Sequence, residues 1–181
     1  MSLDYQLCAI DGILLIKPTC YHDERGSFTE TYRQDTFKEL GITTSFVQDN
    51  QSVSKQHVLR GLHYQVPPYA QAKLVRAVRG TIVDVAVDLR PTSPTYGHHV
   101  LEVLSEDNGH MLYIPPYCAH GFFVLSGDAI INYKCSTFYH PKAERSIHWQ
   151  DPTLAIPWPI PPNITPFVSE KDNLAPAFTK I

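Results

Sequence analysis

The sequence predicts an all-β fold: a jelly-roll double-sheet barrel with a few short helices. Short runs of alternating apolar and polar residues recur along the chain, which is the periodicity of a β-strand. Turn residues such as Pro67-Pro68 and Asn108-Gly109 separate these runs. Helical periodicity is scarce. Many short strands at this spacing favour an antiparallel barrel over a parallel sheet covered by helices.

The predicted strands follow this alternation along the chain. They cover residues 12–17, 45–52, 58–65, 73–79, 81–89, 99–104, 111–114, 122–125 and 129–136. Asp35-Thr36 is typical of a helix start, so we predict one short helix that begins there and ends at Gly41. Proline-rich residues 151–166 predict an irregular arm that leads to a C-terminal segment.

The clearest alternation lies on either side of Gly80. Residues 73–79 read KLVRAVR, and residues 81–89 read TIVDVAVDL. Because successive side chains of a strand point to opposite faces, Asp84 and Asp88 fall on the same face. The two runs, separated by one glycine, predict a hairpin with polar residues on one side.

The length of 181 residues fits one domain. We expect a single barrel domain over residues 1–181, with its C-terminal arm at about 151–181. The first residues, MSLDYQLCAIDG, do not resemble a secretory signal, and no apolar run is long enough to span a membrane. The four cysteines are scattered without a CxxC pattern, which favours thiols in a reducing compartment. A cytoplasmic protein with no membrane partner is therefore expected.

The charge balance argues against one class of partner. The chain has 15 Lys and Arg residues against 18 Asp and Glu residues, which gives a net charge of -3. Sequence-independent binding of nucleic acid needs a basic surface, so no nucleic-acid partner is expected. Any anionic ligand must be bound by local basic residues.

The densest group of polar residues lies on or beside two of the predicted strands. It comprises Gln48, Asn50, Arg60, His63, Gln65 and Lys73. Each side chain alone is best explained as part of a solvated face, but so many together indicate a site. His63 and Gln65 share a face by the period of two, whereas Arg60 falls on the other face. A β-bulge at Gly61 would bring Arg60 toward His63.

Three further groups carry side chains that could take part in chemistry. His120 stands alone in the apolar stretch 114–125, where a histidine is more often a hydrogen-bonded core residue than a ligand. Tyr133 and Tyr139 lie in or near a strand, where tyrosines are usually half-buried packing residues. Residues 169–172, with the sequence SEKD, would be a surface turn on composition alone.

A metal-binding barrel of the cupin type is an alternative, because such barrels often hold a metal through a histidine pair, a glutamate and a third histidine. Here Gln65 stands where the second histidine would be, and no glutamate lies between His63 and Gly80. With His120, only two histidines remain, too few for three protein ligands. We therefore predict a cupin barrel without a metal. No GxGxxG motif follows a strand, so no nicotinamide cofactor is expected either.

The chain resembles the dTDP-4-dehydrorhamnose 3,5-epimerase family over nearly its whole length. Five motifs carry the resemblance: Asp23-Glu24-Arg25-Gly26, Val47-Gln48-Asp49-Asn50, Leu59-Arg60-Gly61-Leu62-His63-Tyr64-Gln65, Ala119-His120-Gly121-Phe122 and Ser169-Glu170-Lys171-Asp172. The RGLHYQ run is highly specific, and the spacing from His63 to Lys73 to Tyr133 also agrees with that family. The chain departs from it at residues 116–118, Pro-Tyr-Cys, where the loop usually carries glycine and phenylalanine.

The resemblance implies a homodimeric isomerase that epimerises C3 and C5 of a dTDP-4-keto-6-deoxyhexose, in the dTDP-L-rhamnose pathway and without a cofactor. It implies that His63 is the base and that Asp172 orients it. It also implies that Lys73 holds the ketone oxygen and that Tyr133 is the acid. Substrate binding is implied for Gln48, Asp49, Asn50, Arg60, His120, Tyr139, Glu144 and Lys171, together with Arg25, Phe28 and Glu30 reaching in from the partner subunit. Tyr139 would stack on the thymine.

These residue types suit proton removal beside a ketone, where the carbanion is stable only if its charge spreads onto the carbonyl oxygen. A histidine with the ordinary pKa of about 6.5 has a usable neutral fraction near neutral pH. A fixed ammonium favours the enolate over the ketone, and one well-placed donor is worth roughly 3 kcal/mol. Inversion also needs an acid on the other face of the sugar ring. Arg60 and Arg25 suit a diphosphate, because a guanidinium donates several hydrogen bonds in one plane.

Other functions remain open at this point. An epimerase that acts only at C3, as in deoxysugar biosynthesis, needs the same base, lysine and tyrosine. A sugar-binding cupin without catalysis would tolerate the loss of His63 and Lys73. A metal-dependent dioxygenase or isomerase is disfavoured by the missing ligands.

Overall fold

The computed structural model describes residues 3–179, which form thirteen strands and two short helices. In chain order these are β1 (Leu3–Leu7), β2 (Leu14–Pro18), β3 (Cys20–Asp23), β4 (Gly26–Thr29), α1 (Gln34–Glu39), β5 (Gln48–Lys55), β6 (Leu59–Gln65), β7 (Lys73–Arg79), β8 (Thr81–Asp88), β9 (His99–Ser105), β10 (Met111–Ile114), β11 (Cys118–Val124), β12 (Asp128–Cys135), β13 (Glu144–Ser146) and α2 (Glu170–Asn173).

Two antiparallel sheets face each other and form a barrel. The six-stranded sheet has the order β1-β2-β10-β7-β12-β5, and the five-stranded sheet has the order β13-β6-β11-β8-β9. β3 and β4 pair with each other in a separate hairpin. Apolar side chains from both sheets, among them Leu15, Val75, Ile82 and Leu112, form the core between the sheets. The predicted all-β, double-sheet fold is confirmed.

Each strand predicted from alternation overlaps an observed strand, and α1 lies where the short helix is expected. α1 begins at Gln34, one residue before the predicted start, and ends before Gly41. The alternation misses four strands, namely β1, β3, β4 and β13. Nearly all residues of β1, β3 and β4 are exposed, so these strands lack the pattern of a half-buried strand.

The hairpin predicted on either side of Gly80 is wrong. β7 belongs to the six-stranded sheet and β8 to the five-stranded sheet, so Gly80 carries the chain from one sheet to the other. Gly80 has a φ of +73°, and a Cβ atom there would collide with the carbonyl oxygen of Asp128. Glycine suits this corner because it adopts a positive φ without strain and has no Cβ atom to collide with the neighbouring backbone.

Both faces of β8 are buried, including the side that carries the polar residues identified in the sequence. Asp84 and Asp88 share a face with Ile82 and Ala86, which belong to the core between the sheets. Both aspartates are fully buried. The opposite face of β8 packs against the C-terminal segment, which contributes Leu154.

The C-terminal segment, residues 151–179, lies over the outside of the five-stranded sheet. Trp158 packs with Leu59 of β6, and Phe167 forms a parallel bridge with Val58, just before β6 begins. These contacts bring α2 beside β6. Neither described helix is long and apolar enough to cross a membrane.

Candidate active site

A cavity of about 350 Å³ opens between the two sheets and is lined by side chains from both. β6 and β11 supply residues from the five-stranded sheet, and β5, β7 and β12 supply residues from the six-stranded sheet. The predicted site residues that line it are Gln48, Asn50, Arg60, His63, Lys73, His120, Tyr133, Tyr139 and Glu144. Closure of the barrel therefore gathers residues that are far apart in the sequence.

A β-bulge at Gly61 brings Arg60 and His63 to the same cavity. In the pairing of β6 with β11, His120 lies opposite His63 and Phe122 lies opposite Arg60, so β6 has one residue more than β11 over this stretch. Gly61 has a φ of +121°, and a Cβ atom there would lie 2.6 Å from the Cα atom of Gly121. Only glycine allows two backbones to approach this closely. The structure therefore contains the bulge that a glycine at this position permits.

His63 is held by a buried carboxylate. Its Nε2 lies 2.6 Å from Oδ1 of Asp172, and Oδ2 of Asp172 accepts the backbone N–H of Gly61 at 3.2 Å. Burial alone would raise the pKa of Asp172, but the hydrogen bonds from His63 and Gly61 outweigh it and lower that pKa below its ordinary value. Because an ionised carboxylate only accepts hydrogen bonds, Nε2 of His63 carries the proton. Nδ1 is then the nitrogen that is free to take up another.

The position of Asp172 depends on the start of α2. The hydroxyl oxygen of Ser169 accepts the backbone N–H of Asp172 at 3.1 Å, as expected for the N-cap residue of a helix. The SEKD motif is therefore more than a surface turn, because Asp172 is 3% exposed and faces β6.

Lys73 lies in the wall formed by β7 and is 8% exposed. Its ammonium group makes one hydrogen bond within the described residues, a long one of 3.4 Å to the carbonyl oxygen of His63. Two of its three N–H donors therefore remain for a ligand. Burial disfavours the charged form and lowers the pKa of Lys73 below that of an ordinary lysine.

Tyr133 lies on the wall opposite His63. In the pairing of β7 with β12, Lys73 lies opposite Cys135, and Tyr133 is two residues away on the same face of the sheet. Burial raises the pKa of Tyr133, so its hydroxyl stays protonated at neutral pH. His63 belongs to the five-stranded sheet and Tyr133 to the six-stranded sheet, so a ligand in the cavity lies between them.

His120 forms a second histidine–carboxylate pair beside the first. Its Nε2 lies 2.7 Å from Oδ1 of Asp84, and both side chains are buried. His120 is therefore a hydrogen-bonded core histidine, as the sequence suggested. It also lines the cavity, so it belongs to the site as well. Sequence reasoning did not assign Asp84 to the site, because alternation groups it with Asp88 on one side of β8 but does not show which way that side faces. The signal that could have found it is a carboxylate in a strand with apolar residues on both faces.

A group of polar side chains stands at the mouth of the cavity. Oε2 of Glu144 accepts the hydroxyl of Tyr139 at 2.9 Å and the ammonium of Lys171 at 2.5 Å. The hydrogen bond to Glu144 raises the pKa of Tyr139. The side chain of Gln48 accepts the backbone N–H of Tyr139 at 2.9 Å. Tyr139 is 53% exposed, so one face of its ring is available to a flat ligand.

Asp49 does not line this cavity, and the substrate contact expected for its side chain stays a prediction. In β5, Gln48 and Asn50 point inward, and the alternation of the strand turns Asp49 outward. Its exposed carboxylate accepts a hydrogen bond from Lys134 at 2.9 Å instead.

Arg25, Phe28 and Glu30 also lie outside the cavity of their own chain. The first two belong to the hairpin of β3 and β4, in which Arg25 forms an ion pair with Asp23. Phe28 is 60% exposed although it is a large apolar residue. Their contribution to a partner's site stays a prediction.

Within residues 3–179, no group of three or more His, Cys, Asp or Glu side chains is placed to hold a metal ion. Gln65, at the position of a cupin metal ligand, is engaged with backbone groups. Its Nε2 donates to the carbonyl oxygen of Tyr69, and its Oε1 accepts the N–H of His140.

Comparison with known proteins identifies close relatives of this chain. The family described as dTDP-4-dehydrorhamnose 3,5-epimerase matches residues 7–180. A dTDP-4-dehydrorhamnose 3,5-epimerase of Pseudomonas aeruginosa is 50% identical over 171 residues, which are 94% of this chain and 93% of the relative.

Solved structures agree with the sequence comparison. The structure of a dTDP-6-deoxy-D-glucose-3,5-epimerase from Legionella pneumophila in complex with dTDP-4-keto-L-rhamnose has a TM-score of 0.92 and 46% identity, and the match covers 97% of this chain and 93% of the other. A 3'-monoepimerase from Streptomyces bikiniensis in complex with dTDP-quinovose has a TM-score of 0.87 and 34% identity, with 94% and 85% of the two chains covered.

Proposed function

The chain belongs to the dTDP-4-dehydrorhamnose 3,5-epimerase family, and on that premise we propose that it inverts C3 and C5 of a dTDP-4-keto-6-deoxyhexose by moving protons beside the 4-ketone. It is an isomerase of dTDP-rhamnose biosynthesis. The observation that carries the proposal is one cavity in which His63, backed by Asp172, stands beside Lys73 and across from Tyr133.

His63 is proposed as the base. A C–H bond beside a ketone is only weakly acidic, so the base must be held close to the carbon in its neutral form. The carboxylate of Asp172 keeps the proton on Nε2, which leaves the lone pair of Nδ1 to take the substrate proton. The same carboxylate stabilises the imidazolium that results.

Lys73 is proposed to hold the 4-ketone oxygen. When the proton leaves, negative charge develops on that oxygen, and a fixed ammonium stabilises the enolate more than the ketone. Burial strengthens this effect, because few water molecules compete with the ammonium inside the cavity.

Tyr133 is proposed as the acid that returns a proton to the opposite face of the ring. Its hydroxyl is protonated at neutral pH and projects from the sheet opposite His63. C3 and C5 both flank the 4-ketone, so the same carbonyl group makes the C–H bonds at both carbons more acidic. The chemistry needs no hydride transfer and no redox step.

The nucleotide is proposed to lie toward the mouth of the cavity. Arg60 suits the diphosphate, and the exposed ring of Tyr139 suits the thymine. His120, Glu144 and Lys171 add polar contacts around the sugar.

A homodimer is proposed because nearly all residues of the hairpin of β3 and β4 are exposed and Phe28 lies at its surface. A two-stranded hairpin is only marginally stable in water without a surface to pack against. Docking on a second copy would bury Phe28 and carry Arg25 and Glu30 to the partner's site. A cytoplasmic location is proposed from the four free cysteine thiols, which are typical of a reducing compartment.

A second candidate, epimerisation at C3 alone, is favoured by the similarity to the 3'-monoepimerase. NMR of dTDP-4-keto-6-deoxyglucose incubated with the protein in D2O separates the two functions. We expect deuterium at both C3 and C5. Deuterium at C3 alone would assign the monoepimerase, and nucleotide binding without any deuterium would assign a binding protein. EDTA in the same assay should leave the rate unchanged, and a loss that a divalent ion restores would contradict a metal-free reaction.

Tyr133→Phe should impair product formation more than proton removal, because His63 and Lys73 remain while the acid is lost. We expect turnover to fall by about 10²-fold or more, the usual contribution of a general acid, with deuterium exchange into the substrate reduced much less. Comparing the rate of solvent exchange with the rate of product formation checks this. If both fall by the same factor, Tyr133 is not simply the acid.

A further inference from the structure

Gln65 joins two loops that meet at the mouth of the cavity. It is 4% exposed and lies two residues after His63 on β6. Its Nε2 donates to the carbonyl oxygens of Tyr69 at 2.7 Å and Phe138 at 3.4 Å. Its Oε1 accepts the backbone N–H of His140 at 2.7 Å. One side-chain amide thus connects the loop after β6 to the loop after β12.

The two anchored residues of the second loop flank Tyr139. Phe138 and His140 are tied to Gln65, and the backbone N–H of Tyr139 itself is accepted by Gln48 at 2.9 Å. Three consecutive residues of this loop are therefore bonded to glutamine side chains from β5 and β6. The ring of Tyr139 is left exposed on a backbone that is held at both sides.

Gln65 is also the residue that replaces a metal-binding histidine of cupins. A glutamine has both a donor and an acceptor at one end, so it can bond a carbonyl oxygen and an N–H at once. A neutral imidazole offers one of each on opposite sides of a ring, and metal binding would use one of them. The amide suits a structural connection between two loops.

From this geometry we propose that Gln65 is a positioning residue, which fixes the loop of Tyr139 so that its ring is pre-oriented for the nucleobase of the substrate. The inference rests on the proposed function for the identity of that ligand. Pre-orientation raises affinity because less conformational entropy is lost on binding. Gln65 does not touch the reacting carbons in this scheme, so it acts on nucleotide affinity and leaves proton transfer to His63 and Lys73.

The test compares Gln65→Met with the wild-type protein. Methionine has a similar size but neither donor nor acceptor, so all three bonds are lost. We expect the Kd for dTDP and the KM for the sugar nucleotide to rise about tenfold, with kcat changed less than about threefold, because a binding contact is weakened without loss of catalysis. Gln65→Glu should recover part of the affinity, since a protonated carboxyl keeps one donor and one acceptor.

Two controls make the result specific. Thr137→Val removes another bond between the same loops, from the Thr137 hydroxyl to the carbonyl oxygen of Ala70, and should leave the Kd for dTDP within about twofold. In a double-mutant cycle, Gln65→Met should have little further effect on dTDP binding once Tyr139→Ala is present. An equal loss in both backgrounds, or a fall in kcat at constant KM, would overturn the inference.

Hydrogen exchange at the His140 amide separates this inference from the proposed function. The amide should exchange faster in Gln65→Met, because its acceptor is gone. If that happens but the wild-type protein binds no dTDP, the loop connection is correct and the proposed substrate is wrong. If the wild type binds dTDP and Gln65→Met binds it equally well, the positioning role is wrong.

Discussion

His63→Ala is expected to remove nearly all turnover and nearly all deuterium uptake at C3 and C5. Removing the imidazole removes the proton acceptor that Asp172 holds beside Lys73, and the other carboxylate-held histidine of the cavity, His120, is more deeply buried than His63. The loss should be about 10²-fold to 10⁴-fold, the usual contribution of general base catalysis. Solvent exchange followed by NMR measures proton removal, and a coupled or chromatographic assay measures product.

The matched control is His98→Ala, because His98 is an exposed histidine on the connection between β8 and β9, outside the cavity. This variant should keep the wild-type rate. His63→Ala should still bind dTDP, which shows that the fold and the nucleotide site persist. Deuterium uptake at either carbon in His63→Ala at a rate near that of the wild type would rule out His63 as the sole base.

Lys73→Met is expected to lower kcat by about 10²-fold to 10³-fold with a small change in KM, because the lost interaction is strongest when the ketone oxygen carries charge. Deuterium uptake should fall together with turnover, since enolate formation comes before either outcome. Lys55→Met, at an exposed position of β5, is the control and should have no effect. Uptake at the wild-type rate in Lys73→Met would show that another group stabilises the enolate.

The pH dependence of the wild-type enzyme gives an independent check on Lys73. The charged ammonium is the active form, so activity is retained below the pKa of Lys73 and is lost as the pH rises through it. Burial lowers that pKa, so the alkaline limb should lie below the pH at which an ordinary lysine titrates, about 10.4. In Lys73→Met the residual activity should lack this limb. An alkaline limb unchanged in Lys73→Met would assign it to a different group.

Local features of the sequence were enough to predict most strands and a polar group that includes His63 and Lys73, whereas the catalytic roles came from the family resemblance. Alternation has a period of two residues, so it reports which side chains of one strand share a face. The bulge at Gly61 could be considered from the local sequence, because a glycine next to Arg60 permits a bulge that turns Arg60 toward His63. The hairpin of β3 and β4 was missed because both faces of these strands are exposed to solvent, so apolar and polar residues do not alternate along them.

Other parts of the site depend on contacts between distant segments. Asp172 meets His63 across 109 residues because the C-terminal segment runs back along β6. Asp84 meets His120 inside the barrel because β8 pairs with β11 and Asp84 lies on the face of β8 that points into the core. The residues around Asp172 and Asp84 contain no pattern that predicts which histidine each carboxylate contacts, although the family resemblance pointed to Asp172.

By itself the sequence determined the residue types that this chemistry needs, the strands that carry them and the family to which the chain is related. Only the tertiary structure decided that Gly80 joins two sheets, that Asp84 is buried, that Asp49 faces away and that Gln65 holds the loop of Tyr139. The physical reason is that periodicity records the environment of each side chain along one strand. Partners across the barrel are selected only when two sheets close around a shared cavity.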